Sequence, residues 1–112
     1  VLGLEKARQF RSAIDGYGTA LKRWPKNVSA LTGIGNCYYA LGELKKAESA
    51  FEETIRLNPK AGSSYNNLAV IFFEQGRKEE ALKAAKKAVS LGGPLGFEYQ
   101  KTLEEIQGAE IP

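Results

Sequence analysis

The chain has 112 residues, 43% of them apolar, and 16 basic against 13 acidic side chains give it a net charge of +3. That length holds one small domain or a few stacked repeats, and that apolar content supports a packed core rather than disorder. The charge is too balanced for a nucleic-acid binder, histidine is absent, and the single cysteine, Cys37, excludes an internal disulfide and a cysteine metal site.

No apolar run approaches the roughly 18 residues of a membrane span, and no signal peptide is visible. Methionine is absent, position 1 included, so a piece of a longer protein is expected. No catalytic residue, metal ligand or cofactor is expected. The adjacent pairs Glu52/Glu53, Glu79/Glu80 and Glu104/Glu105 point about 100° apart on a helix and form no catalytic dyad. Gly92-Gly93 lacks the lysine and serine of a phosphate-binding loop. Lys45-Lys46 and Lys86-Lys87 are expected on solvated helix faces, and Cys37 in a helix interior as a small buried hydrophobe.

In chain order, residues 1–27 form the first segment, with six basic and two acidic groups and Pro25 near its end. Residues 28–61 follow, where Leu31, Ile34 and Tyr38 make one helical stripe. Gly42 ends that helix, because glycine accepts the left-handed turn at little cost. A second helix carries Ala47, Phe51 and Ile55 to its stop at Pro59. Ala47 and Gly35 are small so that the two helices approach closely, and Phe51 and Ile55 are expected to reach the next unit. Residues 62–94 repeat the arrangement with Leu68, Phe72, Gly76, Ala81 and Ala85, and end on Gly92-Gly93-Pro94. A last helix over residues 95–107 is expected to open at Pro94. It places Tyr99, Leu103 and Ile106 on one side. It reads as a capping helix or as the start of a further, incomplete repeat, with the pattern fading through residues 108–112.

The three segments share one register. Pro25 and Pro59 are 34 residues apart, as are Gly42 and Gly76. Ala13, Ala47 and Ala81 recur at the same step, as do Ala20, Thr54 and Ala88, Leu21, Ile55 and Val89, Tyr17, Phe51 and Ala85, and Leu4, Tyr38 and Phe72. A period of 34 with small, aromatic and proline positions in phase is the signature of a helix–turn–helix repeat. No single unit can bury its own stripe, so neighbours must stack.

On these residues the chain resembles the tetratricopeptide repeat family over about residues 1–94. The resemblance implies an all-α fold: a right-handed superhelical stack of helix-turn-helix units in a single domain, closed by a C-terminal capping helix. It also marks departures. The first unit lacks its beginning, with Val1 in the middle of its first helix and Arg8 where the turn glycine is expected. Residues 92–94 replace the usual Asn-Pro.

The resemblance implies a concave groove lined by the first helix of each unit, whose partner is a protein or peptide segment. By phase the binding residues are Thr32, Asn36 and Tyr39 in the central unit, and Ser63, Asn66, Asn67, Val70 and Phe73 in the next. Lys101 stands in the last helix, with Ser29, Gly33, Ala40, Glu74, Phe97, Gln100 and Glu104 at neighbouring groove positions. Amides can satisfy a peptide backbone and aromatics can bury its side chains. In co-chaperone members of the family, asparagines at the phases of Asn36 and Asn67 help hold a C-terminal carboxylate beside several cations. Here Thr32 takes one lysine phase and Lys101 alone remains, so a carboxylate clamp is poorly offset. Helix stabilisation and generic backbone binding stay open for both asparagines. Tyr39, Val70 and Phe73 form a ligand floor or pack on the next helix.

Two further readings remain beside the binding scaffold. The strings Ala20–Pro25, Val89–Pro94 and Leu103–Ile106 resemble the repeat segment that follows a bacterial papain-like, bacteriocin-processing-type peptidase domain. That resemblance implies an accessory domain of an exported or periplasmic protein, with catalysis elsewhere. The other reading is self-assembly into a homo-oligomer. Residues 1–27 carry a net +4 and residues 95–112 a net −3, and Val1, Leu2 and Leu4 should expose apolar surface. Two solvated ends explain the same charges. The compartment is not legible.

Overall fold

The computed structural model describes residues 2–109, so Val1 and residues 110–112, named above for the apolar edge and the fading tail, lie outside the described residues. Among the described residues there are six helices and no strand: α1 (Leu4–Arg23), α2 (Val28–Ala40), α3 (Leu44–Leu57), α4 (Gly62–Glu74), α5 (Lys78–Leu91) and α6 (Gly96–Gly108). The fold is an all-α helical repeat. The chain divides into two compact units, Val1–Pro59 and Lys60–Pro112.

In the first unit α2 packs against both α1 and α3. Asn27 caps α2 by accepting a hydrogen bond from the Ala30 N–H at 3.1 Å, which satisfies one of the four amides a helix start leaves open. Gly42 ends the helix at φ +78°, as its conformational freedom allows. The Gly42 N–H bonds to the Tyr39 carbonyl and the Glu43 N–H to the Tyr38 carbonyl, both at 2.9 Å, the paired bonds of a Schellman stop. The core holds Ala30, Cys37, Ala47, Ala50 and Phe51. Cys37 is buried as expected, and burial pushes its thiol pKa up.

Phe51 does not have to leave its own helix pair to find a partner. Its ring lies against Gly35 of α2, where even a methyl group would sit 2.8 Å from Cε1 and Cζ. α1 also departs from the repeat. It runs unbroken for 20 residues through Arg8, the phase that Gly42 and Gly76 occupy later. Arginine is a good helix former and does not favour a left-handed turn, so the helix continues. None of its residues is fully buried. Glu43 ties α1 to the start of α3: its carboxylate meets Arg11 at 2.7 Å and Lys46 at 3.3 Å. Burial pushes that carboxyl up, but hydrogen bonds from Lys46 and Arg11 and their charges outweigh it, and the net shift is down.

In the second unit α4 and α6 both pack on α5, and α4 also touches α6. Gly76, at φ +76°, ends α4 with the same pair of bonds: Gly76 N–H to the Phe73 carbonyl at 3.0 Å and Arg77 N–H to the Phe72 carbonyl at 2.8 Å. Arg77 then lies over the Phe72 ring, 4.3 Å from its centroid. Leu68, Ala69, Ile71, Phe72, Ala81, Ala84, Ala85 and Ala88 form the core. α6 starts at Gly96, not Pro94. Pro94 falls in a turn closed by the Gly96 N–H on the Gly93 carbonyl at 3.0 Å. Tyr99, Leu103 and Ile106 are buried, on the face the sequence predicts. Leu103 stands at the phase of Gly35 and Ala69, the small positions of α2 and α4. Lys78 fixes the far end by donating to the Ala109 carbonyl at 2.9 Å.

Candidate functional site

The candidate residues lie on α2 in the first unit and on α4 and α6 in the second. None of the nine is fully buried. A helix sets this arrangement: residues three and four apart share a side, so Thr32, Asn36 and Tyr39 line one side of α2 while Ala30 and Cys37 turn inward. Asn36 is exposed; Thr32 and Tyr39 are half-buried. The Thr32 hydroxyl donates to the Val28 carbonyl at 2.9 Å, which leaves its lone pairs to accept.

On α4, Ser63, Asn66, Asn67, Val70 and Phe73 flank the buried stripe of Ser64, Leu68, Ile71 and Phe72. Ser63 and Phe73 are exposed, Phe73 at 36%, while Asn66, Asn67 and Val70 are half-buried. Asn66 Oδ1 is buried and has no hydrogen-bond partner among the described residues, so it is a ready acceptor for an incoming N–H. Lys101 is exposed on α6. Gly62 fixes the approach of α4 to α6: a methyl group there would sit 3.0 Å from Cε2 of the buried Tyr99.

The faces are almost without charge. α2 carries no charged side chain, and α4 carries only Glu74 at its last position. The charges sit on the second helices instead: three basic and three acidic groups on α3, four and two on α5. Such a face offers hydroxyls, amides and aromatic rings. Among the described residues no group of His, Cys, Asp and Glu could hold a metal ion, and no helix is long and apolar enough to cross a membrane.

One contributor escapes the sequence reading. The Tyr17 ring of α1 lies on Gly33 of α2, in the space a side chain at 33 would take. A glycine inside a helical pattern, at the phase of Asn67, was the available signal of close approach. The sequence does not say which ring arrives.

The tetratricopeptide repeat family model matches residues 1–59 and 41–94. Among curated proteins, the photosystem I assembly protein Ycf3 of Rippkaea orientalis is 34% identical, over 92% of this chain and 69% of its own length. The small glutamine-rich tetratricopeptide repeat-containing protein 2 of Saccharomyces cerevisiae is 29% identical over 84% of this chain and 27% of its own. A probable SPINDLY peptide N-acetylglucosaminyltransferase of Hordeum vulgare is 31% identical over 78% of this chain. This chain spans 9% of that enzyme's length. Among solved structures, the first tetratricopeptide domain of Spaghetti (RPAP3), bound to the HSP90 peptide SRMEEVD, superposes with a TM-score of 0.81 at 26% identity, over 88% of this chain and 78% of that one. MamA superposes at 0.78 with 24% identity, over 95% and 64%, a likeness of fold alone.

Proposed function

The chain belongs to the tetratricopeptide repeat family, and from that premise we propose that it is a protein–protein interaction scaffold that holds a polypeptide segment and performs no covalent chemistry of its own. The segment docks on the first-helix faces: Thr32, Asn36 and Tyr39 of α2, and Ser63, Asn66, Asn67, Val70 and Phe73 of α4 with Lys101 of α6. The repeat register adopted is a partial repeat over 1–27, repeats over 28–61 and 62–94, and a capping helix over 95–107. The observation that carries the reading is the uncharged, amide- and aromatic-bearing face of α2 and α4, set against charged α3 and α5. The mechanism is burial against helices already in place, which limits the ordering cost of association.

The same uncharged faces bear on which segment this chain would hold. An acidic C terminus needs cations, and Lys101 stands among Glu98, Glu104 and Glu105 on α6. An uncharged or basic segment, with apolar side chains for Phe73 and Tyr39 and an N–H for Asn66, suits these faces better. Selection of a displayed peptide library on the intact chain tests this. Enriched peptides that bind to wild type and lose about tenfold or more with Phe73→Ala support the scaffold reading. A library that enriches nothing, or peptides indifferent to every α2 and α4 substitution, would refute it.

A further inference from the structure

The turn between α1 and α2 breaks the chain's own pattern. Trp24 stands at the repeat phase of Asn58 and Gly92, and Arg23 at the phase of Leu57 and Leu91. A polar or small residue is replaced by the largest aromatic, and an apolar residue by a cation. Neither change serves the core, since Trp24 is 56% exposed and Arg23 is exposed. The Arg23 guanidinium lies over the Trp24 ring, 5.2 Å from its centroid, a cation–π contact at an exposed site. Between Asp15 and Glu43 there is no acidic residue, and Lys22, Arg23 and Lys26 have no acidic partner among the described residues. Tryptophan and arginine are the residues that dominate protein interfaces.

The complement of this surface is on the same chain. At the start of α6, Phe97 is 84% and Leu95 46% exposed, the first of them among the most exposed large hydrophobics of the chain. Glu98 is exposed next to Phe97, and Glu104 and Glu105 are exposed about two turns further along α6, against one cation, Lys101. The turn offers an aromatic ring among cations; the start of α6 offers an aromatic ring beside the Glu98 carboxylate. We propose that copies of this chain associate head to tail, with the Lys22-Arg23-Trp24 turn of one copy seated on Leu95, Phe97 and Glu98 of the next. The two surfaces differ, so pairing two copies leaves one turn and one α6 free, and assembly continues past the dimer. Its charges are solvated and each contributes little, so the association is weak and shows only at high protein concentration.

Sedimentation velocity on the intact chain, from about 5 µM to about 500 µM, tests this together with the emission of Trp24, the only tryptophan present. The expected result is a mass that rises beyond two copies, a blue shift of Trp24 emission with concentration, and a several-fold weakening in about 0.5 M salt. Trp24→Asn, which installs the residue found at the same phase in the next unit, abolishes both signals and keeps the helical circular dichroism. Arg23→Glu and Glu98→Arg each fail to associate alone, and their mixture recovers association. A monomer at every concentration overturns the proposal. So does association that survives Trp24→Asn, or a blue shift that only anionic lipid vesicles produce.

Discussion

Replacing Gly35 with alanine places a methyl group 2.8 Å from Cε1 and Cζ of Phe51 and 3.0 Å from Cδ1. Phe51 is 1% exposed, so its ring has nowhere to turn and the two helices must separate instead. Overpacking of this kind costs about 1–3 kcal/mol, against a helix-propensity gain of about 1 kcal/mol for losing a glycine. The net is a loss on the order of 1 kcal/mol, read as a lower urea midpoint by far-UV circular dichroism. Gly33→Ala is the control, two residues away on the same helix. Its obstacle is the Tyr17 ring, which is 37% exposed and can swing into solvent. There the propensity gain survives, and the midpoint rises by up to about 1 kcal/mol of stability. Phe51→Leu in the Gly35→Ala background recovers part of the loss. If both alanines stabilise equally, close approach across the α2–α3 pair is not what Gly35 serves, and the reasoning fails.

Several other outcomes are expected. The peptide SRMEEVD binds this chain at least tenfold more weakly than an amidated variant with both glutamates changed to lysine, by fluorescence anisotropy at about 0.1 M salt; equal affinity would refute the charge argument. Cys37 resists maleimide in the folded chain and reacts on unfolding, because burial raises its pKa. A raised thiol pKa favours the protonated folded form, so its contribution to stability is present below the unfolded thiol pKa and lost as pH rises through the folded value. Cys37→Ala removes that alkaline loss. Glu43 has the opposite sign: its lowered pKa gives stability above the usual carboxylate range that is lost as pH falls through the folded value. In Arg11→Ala the acid unfolding midpoint moves closer to that of an unpaired glutamate, and an unchanged midpoint would count against the α1–α3 tie.

The period, the helix stops and the buried stripe were legible because each is written locally. Gly42 and Gly76 must take positive φ, and they do, at +78° and +76°. Tyr99, Leu103 and Ile106 fall on one face by spacing alone. The first unit was harder. The repeat phase predicts a turn at Arg8, but with no residue there that favours the left-handed region the helix runs on. The start of α6 also slipped, since Pro94 suits a turn as well as a first helical position, and the preceding Gly93 at φ +92° chose the turn. Contacts between distant residues were the least legible. Phe51 on Gly35 and Tyr17 on Gly33 share one repeat phase but meet different targets, because Phe51 has its own first helix to pack against and Tyr17 leans on the following one. The candidate site was read from phase, and its exposure follows from the same helical spacing. The partner's chemistry depends on the absence of charge from α2 and α4, which becomes informative only beside charged α3 and α5.

The most direct measurement is a backbone amide NMR titration of the labelled chain with a library-selected peptide. Docking on the first-helix faces predicts shifts concentrated at Asn36 and Tyr39 of α2, at Asn66, Asn67, Val70 and Phe73 of α4, and at Lys101, with the solvated sides of α3 and α5 unmoved. Shifts concentrated at Lys45, Lys46, Lys86 and Lys87 would place the partner on the second helices and contradict the proposed function.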